Sequence, residues 1–256
     1  MTVTIVTGAG QGIGRELALA FAARGDHVVL AARNVGNLEA TAKGIVSAGG
    51  AASVHPTDVT DPAGVVALVD RAYDDLGGVD HLVCNSGVGG PSGPLWEQEP
   101  AGWEETFAVN VTGVFLCCRA LLGRMVAAGD RGSIVILGSM TGKRPLYGRS
   151  PYVASKSALI GLTRSIALEA GPHGVRANLI SPGPVAGPRI DWVIKMQAEE
   201  RGISEAEAHA EFERDSPLGR LTAASDVAAA ALFLTSDAAA AVTGIDLNVS
   251  AGIVMY

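Results

Sequence analysis

The sequence predicts an α/β domain: a doubly wound, seven-stranded parallel sheet with helices on both faces. Three observations predict it. Seven short apolar runs alternate with segments of helical period, a glycine-rich turn joins the first run to the first helix, and polar residues recur directly after the third, fourth, fifth and sixth runs.

The first run spans Val3 to Val6, and Leu17, Ala18, Ala20 and Phe21 then follow at helical spacing. A strand therefore turns into a helix at the glycines. Gly8 suits a tight turn, Gly12 a close approach of backbone to a pyrophosphate, and Gly14 close helix packing, three places that exclude a β-carbon. Phosphates then sit on the free amides and positive dipole end of a helix beginning near Gly12. The spacing Gly-x-x-x-Gly-x-Gly after Thr7 lacks the Lys and Ser/Thr that end a nucleoside-triphosphate loop, which argues against a kinase or ATPase. The other strands fall at Val28 to Ala31, Ala51 to His55, Val79 to Val83, Ser133 to Leu137, Arg176 to Ile180 and Ile245 to Val249, joined by right-handed crossovers. Ligands of such a sheet bind at the carboxyl ends of the strands. Asp58 follows the third strand, Asn85-Ser86-Gly87 the fourth, Ser139 the fifth and Pro182-Gly183 the sixth.

A chain of 256 residues fits one large domain, 1–256, and no repeat or linker divides it. With 19 basic and 26 acidic residues the formal charge is −7, and no Lys/Arg run stands out, so nucleic acid and anionic membrane are not expected partners. Cys84, Cys117 and Cys118 lack metal-ligand spacing and read as buried reduced thiols, with no metal site expected. No basic leader with an apolar stretch stands at the amino terminus, and no uninterrupted apolar segment reads as long enough to span a bilayer. Ala228 to Ala231 reads as a buried helix face. The expectation is a soluble, cytoplasmic protein.

Tyr152 and Lys156 are four residues apart, so both emerge on one helix face. An ammonium beside a phenol lowers a reference pKa of about 10 toward neutrality, which equips the tyrosine to give or take a proton. Ser139 at a neighbouring strand end supplies a hydroxyl to hold a carbonyl or alcohol oxygen, and a nicotinamide supplies the hydride. Taken singly, each feature has a plainer reading: a helix-surface pair, a strand-end turn former, and, for Asn110, a mid-helix residue satisfying backbone groups. Their joint occurrence in this order favours catalysis.

In Thr7-Gly8-Ala9-Gly10-Gln11-Gly12-Ile13-Gly14, Asp58, Asn85 to Gly87, Asn110-Val111, Ser139, Tyr152-Val153-Ala154-Ser155-Lys156 and Pro182-Gly183, the chain resembles the short-chain dehydrogenase/reductase family, in its shorter one-domain branch, over nearly its whole length. The resemblance implies a Rossmann-like fold with Tyr152 as general acid/base, Lys156 lowering its pKa and binding the nicotinamide ribose, Ser139 orienting the substrate oxygen, and Asn110 holding a water that relays protons by way of the lysine. It implies a dinucleotide site of Gly8, Gln11, Gly12, Ile13, Gly14, Arg33, Asp58, Val59, Asn85, Ser86, Gly87, Tyr152, Lys156, Pro182, Gly183 and Val185, with Asp58 facing the adenine. Two departures stand out. Cys84 replaces the first asparagine of the usual Asn-Asn-Ala-Gly, and the cleft is expected to survive. Gly187 stands where a threonine usually contacts the nicotinamide carboxamide, which leaves backbone groups such as those of Val185 to hold it. The second strand ends Ala31-Ala32-Arg33-Asn34, without the acid that favours NAD and with an arginine that grips a 2′-phosphate, so NADP is preferred over NAD. Arg33 stacked over the adenine would serve either cofactor.

The segment 184–217 is expected to form a substrate lid, with helices at Ile190 to Arg201 and Ser204 to Arg214, and Trp192, Val193 and Met196 on one side to close over the pocket or simply to pack. Lys143, Arg144 and Arg149 read chiefly as a solvated loop, an anionic or heavily hydroxylated substrate being the alternative. The leading function is an NAD(P)-dependent oxidoreductase interconverting a small-molecule ketone or aldehyde and an alcohol. The alternative is a dinucleotide-sensing regulator or scaffold without turnover, and a sugar-nucleotide epimerase of the family's longer branch fits less well. The family implies a homotetramer or homodimer, with Ala158, Gly161 and Ala167 permitting close approach. Size-exclusion chromatography is expected to show an oligomer, and a 26.0 kDa monomer at micromolar concentration would contradict it.

Overall fold

The computed structural model describes residues 1–256, except the side chain of Glu200. The strands are β1 (Val3–Thr7), β2 (His27–Ala32), β3 (Ala51–Pro56), β4 (His81–Cys84), β5 (Gly132–Leu137), β6 (Val175–Pro182) and β7 (Asp246–Val249), each near its expected place. All neighbours are parallel, in the order β3-β2-β1-β4-β5-β6-β7. The chain winds outward from β1 to β3, returns to the middle, and winds outward again from β4 to β7, so the order reverses between β1 and β4.

Every residue of β1 is buried, which is why the strand is a continuous β-branched run and not an alternating one. Successive side chains still go to opposite faces. Ile5, Val29, Leu82 and Ile134 face one layer, which contains α3 (Pro62–Leu76), α5 (Gly113–Ala128) and α6 (Ser150–Ala170). Val6, Leu30, Val83 and Val135 face the other, with α1 (Gly12–Arg24), α2 (Val35–Ser47) and α9 (Ala224–Thr235). Local signals set the helix ends: Asp61 caps α3 through Ala63 N–H with Pro62 in the first turn, and left-handed Gly25 and Gly77 terminate α1 and α3. Lys143, after β5, pairs with Asp246 of β7 at 2.9 Å in a mostly buried ion pair and donates to Asn248 Oδ1 at 2.7 Å.

Two expectations need correction here. Helix α4 (Pro100–Phe107), a π turn over Ala108–Thr112 and α5 run on without a break, so Pro100–Ala128 is long and apolar enough to cross a membrane by length and composition. Leu116, Cys117, Leu121 and Met125 explain the apolarity, since they bury α5 in the core beneath the sheet. On α6, Gly161 is exposed with open space around it and Ala158 is half-buried, but Ala167 turns inward and belongs to the core. Phe115 and Val126 on α5 and Leu168 on α6 are large apolar side chains left exposed. The cysteines are buried free thiols, as read, with Cys84 Sγ 3.9 Å from Cys118 Sγ. Contact with Cys117 and Cys118, together with burial, pushes the Cys84 thiol well above its ordinary pKa.

Candidate active site

A cleft of about 710 Å³ opens at the carboxyl ends of the strands, astride the reversal point. Among its lining residues are Gly8, Gln11, Gly12, Ile13, Gly14, Arg33, Asp58, Val59, Asn85, Ser86, Gly87, Ser139, Tyr152, Pro182, Gly183 and Val185. Lys156 and Asn110 are absent from the lining; both are buried behind it.

The glycine turn fits a pyrophosphate. Gly8 has φ +68°, and a Cβ on Gly14 would lie 2.1 Å from Gly8 O and 2.4 Å from Asn85 Nδ2. Gly12 faces open space. Gln11 makes no side-chain cap and the first turn of α1 carries no acid, so its free amides remain available to an anion. The turn is held by residues the sequence did not single out for this purpose. Thr7 Oγ1 accepts the backbone N–H of Asn85 and of Ser86 at 3.0 and 3.1 Å, and Asn85 Nδ2 donates to Thr7 O and Gly8 O at 3.0 and 3.3 Å. Asn85 is thus a clamp as well as a lining residue. The only signal for Thr7 was its place directly before Gly8. The replacement at Cys84 leaves the cleft intact because that side chain points into the core.

Asp58 Oδ1 accepts Thr60 N–H and Oγ1–H at 2.9 and 2.8 Å, which holds the carboxyl below its usual range, and Arg33 adds to the effect. Arg33 is exposed at the end of β2 beside Ala32 and Asn34, with no acid at that strand end. Across the cleft, Thr222 N–H donates to Pro184 O and Thr222 O accepts Ala186 N–H, so the intervening Val185 presents its own N–H and C=O away from Thr222. Gly187 has φ +135° where it opens α7 (Pro188–Arg201). Side chains rarely adopt that conformation, which accounts for the missing threonine.

Ser139 leads into a short 3₁₀ turn, Met140–Gly142; its Oγ accepts Thr141 N–H at 3.2 Å and lies 3.0 Å from Thr141 Oγ1. Lys156 Nζ donates to Leu137 O at 2.8 Å and sits 5.8 Å from the Tyr152 ring centre. Burial pushes the Tyr152 phenol up, but Lys156, Arg189, the Ser139 hydroxyl and Arg149 outweigh it, and the net pKa is below that of an ordinary tyrosine. Burial likewise lowers Lys156, opposed by Tyr152.

The side chain of Asn110 makes three hydrogen bonds. Within the π turn, Oδ1 accepts Val88 N–H at 2.8 Å while Nδ2 donates to Val88 O and to Ser155 Oγ, both at 3.0 Å. Ser155 Oγ in turn donates to Tyr152 O at 2.8 Å. The amide braces the segment after β4 against the first turns of α6.

The charged loop also divides. Lys143 is taken by Asp246, Arg144 is solvated as read, and Arg149 is half-buried with Nη2 on Gly89 O at 2.7 Å. Arg189, not picked out from the sequence, lines the cleft from α7, and its only sequence signal was its proximity to Pro182-Gly183. In the lid, α7 and α8 (Glu205–Arg214) pack through Ile194, Ala198 and Ala208. Val193 and Ile190 face the cleft, whereas Trp192 and Met196 point outward, 60% and 43% exposed, contrary to the expected shared side.

A family model described as enoyl-(acyl carrier protein) reductase matches residues 8–254. Galactitol 2-dehydrogenase (L-tagatose-forming) of Cereibacter sphaeroides is 39% identical over 254 residues, covering 98% of this chain and 94% of that protein. Among solved structures, an actinorhodin polyketide ketoreductase with NADPH superposes with a TM-score of 0.94 at 33% identity, covering 100% of this chain and 98% of the other. An NAD+-bound xylitol dehydrogenase gives 0.92 at 28% identity, covering 98% of each.

Overpacking a close-packed junction costs about 1–3 kcal/mol, so Gly14→Ala is expected to weaken dinucleotide binding about tenfold or more. Nicotinamide fluorescence titration checks this, and unchanged affinity would mean that the turn does not set the phosphate site.

Proposed function

Because the chain belongs to the short-chain dehydrogenase/reductase family, whose members here are oxidoreductases of CH–OH or C=O groups, we propose that this enzyme interconverts a ketone or aldehyde and an alcohol with Tyr152 as general acid/base. The observation that carries the reading is the convergence of Tyr152, Lys156 and Ser139 at one end of a cleft whose other end is a glycine-built phosphate cradle.

A bound nicotinamide dinucleotide supplies or accepts the hydride. The amides of Gln11 to Gly14 would hold its pyrophosphate, Asp58 and Val59 would lie on the adenine side, and the N–H and C=O of Val185 would serve the carboxamide that lacks a threonine partner. In reduction, Tyr152 gives its phenolic proton to the carbonyl oxygen as charge develops there. In oxidation, the phenolate takes the proton of the alcohol. Ser139 Oγ accepts from Thr141 N–H and keeps its own proton to donate to the substrate oxygen. Lys156 stabilises the phenolate from behind and is itself fixed by Leu137 O. The sign of the pH dependence follows: with the Tyr152 pKa lowered, the base form fills at lower pH than for a free phenol, so oxidation rises through that pKa and reduction falls above it.

For the cofactor we infer NADP, supported by the exposed Arg33 and by the lack of an acid at the end of β2. A homo-oligomer is supported by exposed Phe115 and Leu168 with the open surface at Gly161. Tyr152→Phe is expected to lower turnover by about 10²- to 10⁴-fold while dinucleotide affinity is kept. Full turnover in this variant, read at the nicotinamide absorbance, would remove the proposed mechanism. Loss of a charge-assisted phosphate contact is worth about 1.5–3 kcal/mol, so Arg33→Ala should weaken NADPH roughly tenfold or more and leave NADH nearly unchanged. Equal weakening of both would reassign Arg33 to adenine stacking.

A further inference from the structure

Two guanidinium groups meet at Gly89, beside the cleft that Arg189 and Tyr152 line, and neither has a carboxylate partner among the described residues. Arg24, Arg124, Arg201, Arg220 and Lys143 all pair with acids. Arg149 and Arg189 do not. They come from different elements, Arg149 from the residue before α6 and Arg189 from the second position of α7, and converge on Gly89. A Cβ on Gly89 would stand 2.9 Å from Arg149 Nη2 and 3.1 Å from Arg189 Nη2, so the glycine leaves room for both forks. Arg149 is anchored there by its hydrogen bond to Gly89 O. Both groups lie over the Tyr152 ring, with their central carbons 5.7 and 5.4 Å from its centre. The ring face attracts each cation, no carboxylate neutralises either, and the two like charges repel one another.

We infer that this pair is an anion site for the substrate: the molecule turned over carries a carboxylate or phosphate group a few bonds from its reacting carbon. The assignment of the reacting carbon rests on the acid/base role proposed for Tyr152. Planar guanidinium forks match the oxygens of either group, and a bound anion relieves the repulsion between the two arginines. Since Arg189 rides on the lid helix and Arg149 on the body, an anion held by both also draws α7 toward the cleft, which couples substrate binding to closure.

The test uses protein saturated with oxidised dinucleotide and two matched pairs of probes, levulinate against methyl levulinate and dihydroxyacetone phosphate against dihydroxyacetone, with binding read by calorimetry. At least one anion is expected to bind about tenfold or more tightly than its neutral partner; whether the carboxylate or the phosphate shows the advantage identifies the source. Arg189→Gln should erase most of that advantage, read as the ratio of anion to neutral affinity, and Arg189→Lys should restore part of it. Equal binding within both pairs, or an advantage that survives Arg189→Gln, overturns the inference. Turnover separates this result from the underlying mechanism. Tyr152-dependent reduction of neutral ketones without anion preference would sink the anion site alone. A full-rate Tyr152→Phe enzyme that keeps the anion preference would sink the acid/base role and leave the anion site standing.

Discussion

The hydrogen bonds between Thr7 and the Asn85-Ser86 segment hold the two halves of the sheet together where the strand order reverses. One hydroxyl receives two backbone donors from the end of β4, and the Asn85 amide returns two bonds to the end of β1. That exchange satisfies polar groups that no strand ladder reaches, and it fixes how far apart the two strand ends stand. The position of Gly14 under Gly8, the direction of α1 and the width of the cleft all follow from it. An extra atom anywhere in this junction has nowhere to go, which is why glycine recurs there.

The chemistry at the far end of the cleft is a contest between desolvation and charge. Burial favours a neutral phenol. Three positive charges, on Lys156, Arg149 and Arg189, lie 5.4 to 5.8 Å from the Tyr152 ring centre and favour the phenolate. The cations win, and the phenol is lowered despite its burial. The surplus is local: the chain carries a net charge of −7, so the cationic wall is an island in an acidic surface, and that island focuses anions toward the reacting end of the cleft.

Much of this was legible in the residues. Parallel strands buried on both faces must be apolar runs, and the inner strands were read as such, as were the less buried edge strands β3 and β7; Tyr152, Lys156, Ser139 and the glycines declare themselves by spacing. What escaped reading depends on contacts between distant segments. Nothing near Asn110 reveals that its amide braces Val88 against Ser155, and nothing near Arg189 reveals Arg149, forty residues earlier, at its side. Helical periodicity marks an apolar stripe without saying which neighbour covers it, hence the outward turn of Trp192 and Met196 and the inward turn of Ala167. The apolar length of Pro100–Ala128 was hidden by its π turn and the acids of α4, and became visible only as a continuous helix.

The ion pair between Lys143 and Asp246 ties the loop after Ser139 to the last strand, across about a hundred residues of chain. With both side chains mostly buried, removing either partner strands a charge, a loss on the order of 3–5 kcal/mol. During synthesis, then, the catalytic loop lacks this last tether until the final strand has joined the sheet, although Ser157 and Gly93 already hold it at Gly142 and Gly148. The glycine turn that would take the pyrophosphate, with its Thr7–Asn85 clamp, is built wholly from the first half of the chain and needs no such wait.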